Sequence, residues 1–261
     1  MCLLVLAWQA HPRYRLVVAA NRDEFHERPA APLAKWGPAD DILAGRDLRA
    51  QGTWLGLDRQ RRFGVITNFR ELQRPQPDAP TRGALIPDYL RGVVGAEAFL
   101  AALEPQAARF SGFNLLLTDR DSLWYASNRA EAFARPLPPG VYGLSNEFLD
   151  TPWPKLRRVR RRFDAWLSDP GNATAEGLFA LLDDRATATA DEELPQTGIP
   201  EEWERVLSAP FVLHPDYGTR ASTILLLEPS GAGLLAERRF GPQGALLGET
   251  EFQLAADGRW P

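Results

Sequence analysis

The second residue of the chain is a cysteine, and it is the only cysteine in the sequence. Removal of Met1 would leave Cys2 with a thiol and a free α-amine on one residue. An α-amine has a reference pKa of about 7.7–8.0, so a useful fraction is neutral near physiological pH. A neutral amine takes the thiol proton and later returns it to a leaving amine. The sequence therefore predicts an N-terminal nucleophile, with simple packing of a buried thiol as the alternative.

A polar segment at residues 21–24 follows an apolar run at residues 16–20. The carboxylate of Asp23 is suited to hydrogen-bond the α-ammonium of Cys2 or to orient it, and Arg22 is suited to favour a thiolate or hold a carboxylate substrate. A solvated turn between strands is the alternative interpretation of the same four residues. The candidate substrate-binding residues of the segment are Asn21, Arg22 and Glu24.

Two asparagines and one arginine lie at predicted strand ends. Asn68 ends a run at residues 65–68, and Asn146 ends a run at residues 142–146. Side-chain amides suit an oxyanion hole because they are neutral and fixed in direction. Arg220 begins an apolar strand, where a charge needs a partner. Asparagine also ends many strands for structural reasons, and that interpretation stays open for both amides.

The elements that must bring these residues together begin with a hairpin. Apolar runs at residues 3–7 and 16–20 are joined by a short polar turn, a pattern that predicts two paired strands. Antiparallel pairing brings the end of one strand beside the start of the other. The hairpin therefore places Asn21 and Asp23, beyond the end of the second strand, near Cys2.

Further patterns complete a coarse map of the chain. The predicted strands are residues 53–57, 63–69, 113–118, 123–125, 219–227 and 234–240. The predicted helices are residues 96–103, 154–167 and 175–182, and one that opens at Pro87 with Tyr89, Leu90 and Val93 buried. Loops are predicted at residues 73–80 and 185–202. Strands near both ends with helices between them favour an α+β fold with antiparallel sheets, in a single domain over residues 1–261.

Composition narrows the function classes. The 261 residues are 44% hydrophobic and 25% charged, with a formal net charge of −4, so there is no general attraction to nucleic acid or anionic lipid. The basic residues of 155–162 are interpreted as the solvated face of a helix. No transmembrane segment, metal site, nucleotide loop or cofactor is predicted, and we expect a cytoplasmic protein. The expected partner is a small-molecule substrate or ligand, and the oligomeric state stays open.

A series of short motifs runs in order from residue 1 to about residue 225. They are Met1-Cys2; Ala19-Ala20-Asn21-Arg22-Asp23-Glu24-Phe25 with Arg28-Pro29; Gly52-Thr53-Trp54-Leu55-Gly56; Thr67-Asn68; Gly112-Phe113-Asn114; Gly143-Leu144-Ser145-Asn146 with Thr151-Pro152-Trp153-Pro154-Lys155; and Tyr217-Gly218-Thr219-Arg220. Together they resemble the NRDE family, also called the transport and Golgi organisation family. That family looks distantly related to the choloylglycine and penicillin V acylase branch of N-terminal-nucleophile hydrolases. The resemblance implies a four-layer αββα sandwich.

The resemblance also implies functional roles. The acylase positions fall on Cys2 as nucleophile, on Asp23, Asn68 and Asn146, and on the late Arg220. The acylases carry an arginine three residues before the aspartate, where this chain has Ala20, and Arg22 is expected to point elsewhere. The leading hypothesis is hydrolysis of a non-peptide linear amide by Cys2. The alternative is a non-catalytic carrier on the same fold, for haem or an acyl-CoA-like lipid ligand, since the family resemblance also implies roles in haem movement, lipid metabolism and secretory organisation.

Overall fold

The computed structural model describes residues 2–37, 41–71, 79–169, 171, 173–189, 194–257 and 259–260. Strands and helices alternate in groups along this part of the chain. The strands are β1 (Cys2–Trp8), β2 (Leu16–Phe25), β3 (Ala30–Lys35), β4 (Ile42–Asp47), β5 (Leu55–Asp58), β6 (Phe63–Asn68), β7 (Phe113–Thr118), β8 (Leu123–Ser127), β9 (Ala134–Pro136), β10 (Gly140–Leu144), β11 (Tyr217–Leu227), β12 (Gly233–Phe240) and β13 (Leu246–Leu254). The α-helices are α1 (Leu85–Arg91), α2 (Ala96–Leu103), α3 (Pro154–Ser168), α4 (Ala175–Leu182) and α5 (Glu201–Val206).

The strands form two antiparallel sheets. The first sheet has the order β10-β1-β2-β11-β12-β13, and the second has the order β3-β4-β5-β6-β7-β8-β9. The second sheet is a meander in which every strand pairs with its neighbour in sequence. The first sheet instead gathers strands from both ends of the chain, because β2 pairs with β1 on one side and with β11 on the other.

Burial of apolar side chains stacks these elements into four layers. Between the sheets lies a core that includes Leu4 and Val18 from the first sheet and Phe63 from the second. The outer face of the first sheet packs against α3 and α4, and the outer face of the second packs against α1 and α2. Each sheet is covered on both faces, which explains the continuous apolar runs of its central strands. The arrangement is an αββα sandwich.

The first predicted hairpin is confirmed, but its second strand is longer than the sequence predicted. β2 continues through the polar segment to Phe25, because β11 pairs along its free side from Tyr217 to Leu227. Asn21 and Asp23 therefore lie within the strand rather than beyond it. The interpretation of residues 21–24 as a solvated turn is wrong, since residues 21–23 are buried.

Local patterns located other elements with mixed accuracy. The bounds of α2 and α4 match the prediction, and α3 runs one residue further than predicted. The first helix begins at Leu85 rather than at Pro87, and Val93 lies beyond its end with 98% of its surface exposed instead of buried. Strands β3, β4, β9 and β13 were not predicted. Most of the predicted loop at residues 73–80, and residues 190–193 of the other loop, fall outside the described residues.

No helix in the described ranges is long and apolar enough to cross a membrane.

Candidate active site

Cys2 opens β1 directly opposite Arg22 of β2. Opposite residues of an antiparallel pair share a face of the sheet, and residues two apart on a strand do as well. Leu4 and Ala20, the next pair on this face, belong to the core between the sheets. Cys2 and Arg22 therefore face the second sheet. The expectation that Arg22 points elsewhere than Ala20 is wrong, because the strand continues and keeps both on one face.

A small cavity of about 130 Å³ lies where the ends of the two sheets meet. Its walls include Cys2 and Arg22 from the first sheet and Asn68 from the second. Sites for drug-sized ligands are commonly about 300–1,000 Å³, so this cavity accommodates a small polar group rather than a whole large ligand. Other groups that border it are Asp23, Glu24, Arg28, Asp47, Trp54 and Arg82.

Two close backbone approaches shape this cavity. A Cβ atom on Gly52 would lie 2.3 Å from the carbonyl oxygen of Gly83, so glycine lets the segment carrying Arg82 pack against the loop before β5. A Cβ atom on Gly45 would lie 2.5 Å from the Trp54 ring. The absence of side chains at these two positions therefore admits Trp54 and Arg82 to the cavity wall.

The guanidinium of Arg22 is buried against aromatic and acidic groups. It lies 4.4 Å from the centre of the Trp54 ring, a cation–π distance. Its Nη2 is 3.5 Å from Asp47 and 3.7 Å from Glu24. Its buried Nη1 has no hydrogen-bond partner among the described residues. Since Arg22 lines the cavity, this remaining donor is suited to an anionic group bound there.

The carboxylate of Asp47, on the cavity side, is held ionised by neighbouring arginines and a backbone N–H. Arg28 donates from Nε to Asp47 at 2.7 Å and also lies 3.8 Å from Glu24. Burial disfavours the Asp47 carboxylate, but a backbone N–H of Ala50 and the charges of Arg28 and Arg22 outweigh it and lower the Asp47 pKa. The cavity wall is thus a network of ion pairs at the edge of solvent.

Asp23 lies on the opposite, helix-facing side of β2, at the point where the strand passes the start of β1. The Thr219 hydroxyl donates to its Oδ1 at 2.7 Å. Burial raises the pKa of Asp23, and the charge of Lys155 and the Thr219 hydrogen bond oppose that shift. The residue also borders the cavity, so the structure brings the predicted carboxylate close to Cys2 in a desolvated environment.

Asn21 shares the helix-facing side with Asp23. Its Nδ2 donates to the carbonyl oxygens of Leu182 and Pro210, both at 2.9 Å, and its Oδ1 accepts from Ser222 at 2.6 Å. These bonds join β2 to the helix layer, and they occupy both polar atoms of the Asn21 side chain inside the core. The predicted substrate-binding role of Asn21 is not supported by this placement, because side chains alternate faces along β2.

The two predicted oxyanion asparagines are joined to each other. Asn146, fully buried two residues after β10, donates from Nδ2 to the carbonyl oxygen of Asn68 at 2.8 Å. Its neighbour Ser145 donates to the carbonyl oxygen of Cys2 at 3.0 Å. Of the pair, Asn68 is the residue that borders the cavity. Asn146 therefore fixes the backbone that presents Asn68.

Arg220 is placed away from Cys2. It lies at an irregularity in the pairing of β11 with β2 and donates to the carbonyl oxygens of Phe25, His26 and Arg28. A further bond reaches Phe240. Its partners are backbone oxygens, so it holds the chain that leaves β2 rather than bordering the cavity.

Lys155 is a residue that the sequence analysis misplaced. It was grouped with the solvated basic face of α3, but it is only 1% exposed. Burial lowers its pKa to about 8, with Arg70 acting in the same direction and Asp23, Cys2 and Glu204 opposing it. The spacing contained a signal, because Lys155 lies four residues before Val159 and eight before Phe163, on the apolar face of the helix.

Comparison with known proteins adds a family to this geometry. The family model described as Transport and Golgi organisation 2 matches residues 1–242. The chain belongs to this family. A cattle (Bos taurus) protein, Transport and Golgi organization protein 2 homolog, is 32% identical over 258 residues, covering 91% of this chain and 92% of its own. The Drosophila melanogaster Transport and Golgi organization protein 2 is 29% identical, covering 87% of this chain and 88% of its own.

The chain also resembles a solved hydrolase in fold. A C2A mutant of conjugated bile acid hydrolase from Clostridium perfringens aligns with a TM-score of 0.52 and 7% identity, over 97% of this chain and 92% of that one. At this identity the likeness concerns the fold alone. It agrees with the layer order found here, and the expected αββα sandwich of the N-terminal-nucleophile hydrolase type is confirmed.

Within this family member, the state of the Cys2 thiol decides what chemistry is available. Cys2 as a residue is half-buried, and desolvation of its thiol raises the pKa, with Asp23 adding to the shift and Arg22 and Lys155 opposing it. A raised pKa keeps the thiol protonated, so nucleophilic attack needs a nearby base. In the described part of the chain, no cluster of three or more His, Cys, Asp or Glu side chains is arranged to hold a metal ion.

Proposed function

We propose that this chain is an amidohydrolase whose N-terminal Cys2 attacks a non-peptide linear amide. The observation that carries the proposal is the position of Cys2: it opens β1, borders a polar cavity and faces Arg22 across the strand pair. Support comes from the desolvated carboxylate of Asp23 at the same strand ends. Met1 lies outside the described residues, so its removal is part of the proposal.

The proposed reaction uses one residue as nucleophile and base. The α-amine of processed Cys2 accepts the thiol proton, and the thiolate attacks the amide carbonyl carbon to form a tetrahedral oxyanion. The C–N bond then breaks, the leaving amine takes the proton, and an acyl thioester remains on Cys2. Water attacks the thioester and gives a proton to the α-amine of Cys2. The C–S bond breaks, the carboxylic acid is released, and the α-ammonium returns the proton to the Cys2 thiolate. Asp23 orients the amine throughout.

The cavity supplies groups for the oxyanion and for the substrate. Asn68 borders the cavity and is held by Asn146, so we assign the oxyanion donor to Asn68 and its positioning to Asn146. Arg22 has an unbonded buried Nη1 at the cavity. A substrate whose amine portion ends in a carboxylate fits this donor. We therefore expect N-acyl amino acids to react faster than neutral N-acyl amides.

A second candidate, a non-catalytic carrier for haem or an acyl-CoA-like ligand, is favoured by one observation. Burial raises the pKa of the Cys2 thiol, so without a base the residue is an unreactive packed thiol. The cavity volume of about 130 Å³ weighs against this candidate, because it is well below that of common sites for large ligands.

Acid-quenched intact-mass spectrometry of processed protein separates the two candidates. The probes are N-octanoylglycine and N-octanoylethanolamine, which share an acyl chain and differ in the carboxylate. Amide hydrolysis predicts a hydroxylamine-sensitive octanoyl adduct on Cys2, formed faster from the glycine conjugate. Cys2→Ala abolishes the adduct.

A matched control blocks the amine without touching the thiol. A chain that keeps one extra residue before Cys2 retains the thiol but lacks the α-amine as base, and we expect it to form no adduct. Absence of adduct and of released octanoate from processed protein with both probes contradicts the proposed hydrolase and favours the carrier.

A further inference from the structure

Lys155 is kept in a position with several energetic costs. Its side chain is 1% exposed, and its Nζ has no hydrogen-bond partner among the described residues. Burying an ammonium without such bonds is unfavourable. Lys155 also lies in the first turn of α3, which has no acidic residue and no side-chain cap. A cation at this end of a helix opposes the helix dipole.

Asp23 is the group that offsets these costs. The charge of Lys155 is the largest influence that opposes the burial-driven rise in the pKa of Asp23, and Asp23 is the largest that supports the ionised lysine. The first turn of α3 packs closely on β10, at the edge of the first sheet. A Cβ atom on Gly143 would lie only 2.7 Å from the Leu156 side chain. Lys155 therefore reaches the strand ends from the helix layer, on the opposite side from the cavity.

The charged surroundings are mixed. The charged and titratable groups that interact with Lys155, Asp23 or Cys2 are Arg22 from β2, Arg70 after β6, Arg82 before α1, Glu204 of α5 and Tyr217 of β11, and Glu24 of β2 acts in turn on Arg82 and Tyr217. Arg70 is paired with Glu204, and Arg22 with Asp47 and Glu24. Lys155 and Arg82 have no such ion pair at 4 Å or less among the described residues, and of the two it is Lys155 whose charge acts on both Asp23 and Cys2.

We propose that Lys155 is a positioning residue whose charge offsets that of Asp23 and so favours the neutral α-amine of processed Cys2. The inference rests on the proposed function. The Asp23 carboxylate favours the ammonium form of that amine, and the nearby buried positive charge of Lys155 opposes this effect and lowers the amine pKa. The neutral amine is the form that accepts the thiol proton. Lys155 thus acts through Cys2 and Asp23 and does not contact the substrate.

The single cysteine of the chain allows a direct test that does not require turnover. Protein labelled with [¹³C,¹⁵N]cysteine gives one labelled residue, whose Cα shift reports the amine and whose Cβ shift reports the thiol. In processed wild-type protein we expect the amine pKa to lie below the reference range of about 7.7–8.0. Lys155→Met should raise it by about one unit, and Lys155→Arg, which keeps the charge, should leave it near the wild-type value.

The same variants give a kinetic readout that a structural role would not move. For Lys155→Met, the acid limb of kcat/KM for N-octanoylglycine shifts to higher pH, with about a tenfold loss at pH 6 and little loss above the amine pKa. A folded Lys155→Met protein with unchanged amine titration and an unchanged pH profile overturns the inference. If Lys155→Met does not fold, a wild-type amine pKa within or above the reference range overturns it.

These outcomes are separable from failure of the proposed function. A lowered wild-type amine pKa together with the Lys155→Met shift, but no acyl adduct, leaves the electrostatic role of Lys155 standing and removes the hydrolase. An acyl adduct with unchanged titrations in Lys155→Met leaves the hydrolase standing and removes the role of Lys155.

Discussion

The two faces of the end of β2 both carry polar residues, but they treat charge in opposite ways. On the cavity face, Arg22 and Glu24 belong to a network of ion pairs near solvent, which keeps the pKa of Asp47 low. On the helix face, Asp23 is buried, and desolvation raises its pKa. One strand thus separates an ion-paired surface, where the carboxylate of Asp47 is stabilised, from an enclosed site, where burial disfavours the charged form of Asp23.

The difference shows how neighbouring residues take different roles in the proposed site. Groups on the cavity face suit substrate recognition, because an ionised guanidinium binds an anion over a wide pH range. Groups on the helix face suit control of proton position, because ionisation in a desolvated site depends strongly on the neighbouring charge. The alternation of side chains along a strand is sufficient to produce this division.

The largest expected effects come from replacing two asparagines by alanine, one at the cavity and one on the helix face of β2. Asn68→Ala removes an oxyanion donor at the cavity, and we expect the acylation rate to fall by about 10²–10³ with little change in stability. Asn21→Ala removes three buried hydrogen bonds on the other face. We expect it to lower the free energy of unfolding by about 1–3 kcal/mol with KM unchanged. Urea unfolding gives the free energy of unfolding of each variant, and single-turnover acylation gives its rate. An increase in KM for Asn21→Ala would support the predicted substrate-binding role of Asn21.

A charge change on each face should differ in its cost to stability. Asp23→Asn removes the charge that opposes the desolvation of the buried Lys155, and we expect the free energy of unfolding at pH 7 to fall by about 1–3 kcal/mol. The deficit should narrow as the pH rises and Lys155 loses its proton. Glu24→Gln is the matched control on the cavity face, where a partly exposed pair contributes less than about 1 kcal/mol. Equal losses in urea unfolding would remove the contrast between the faces.

Glu237 sharpens the comparison as an exception. Although its strand position faces the second sheet, it is 1% exposed, and burial raises its pKa to about 7 despite a hydrogen bond from the Leu33 N–H. A carboxyl group with a raised folded-state pKa contributes stability that is complete below its unfolded pKa and is lost as the pH rises through 7. We expect Glu237→Gln, which keeps an acceptor, to stabilise the protein by about 2–3 kcal/mol at pH 8 and by little at pH 4.

The control for that measurement is a carboxyl group on the next strand of the same sheet. The Glu249 side chain is 41% exposed and lies beside Arg238. Unfolding curves of Glu249→Gln from pH 4 to pH 8 should follow those of the wild type. A pH-independent difference between Glu237→Gln and wild type would show that the pKa of Glu237 is the same in the folded and unfolded states.

The smallest expected effect tests recognition on the cavity face. Arg22→Lys keeps a positive charge but loses the planar group stacked on Trp54 and its free Nη1 donor. We expect KM for N-octanoylglycine to rise about tenfold while KM for N-octanoylethanolamine stays constant. A parallel rise for both substrates would mean that Arg22 supports the site without contacting the carboxylate.

Much of the fold near the site was predictable because its signals are local. Two apolar runs and a short turn were enough to predict the first hairpin and to place Asp23 near Cys2. Strands β3 and β13 escaped prediction because most of their side chains are partly exposed, and their partners decide whether they form strands. Lys155 escaped because a charged residue was assigned to solvent although its spacing placed it on the apolar face.

The sequence by itself determined the family, the nucleophile candidate and the polar segment beside it, since these depend on residue identity and order. The tertiary structure alone decided which of those polar groups meet. β11, about 200 residues away in the chain, pairs with the end of β2 and converts a predicted turn into a strand. Strand alternation then sends Arg22 toward the cavity and Asp23 toward Lys155. No local pattern specifies that outcome, because it depends on the register with a distant strand and on the helix that covers it.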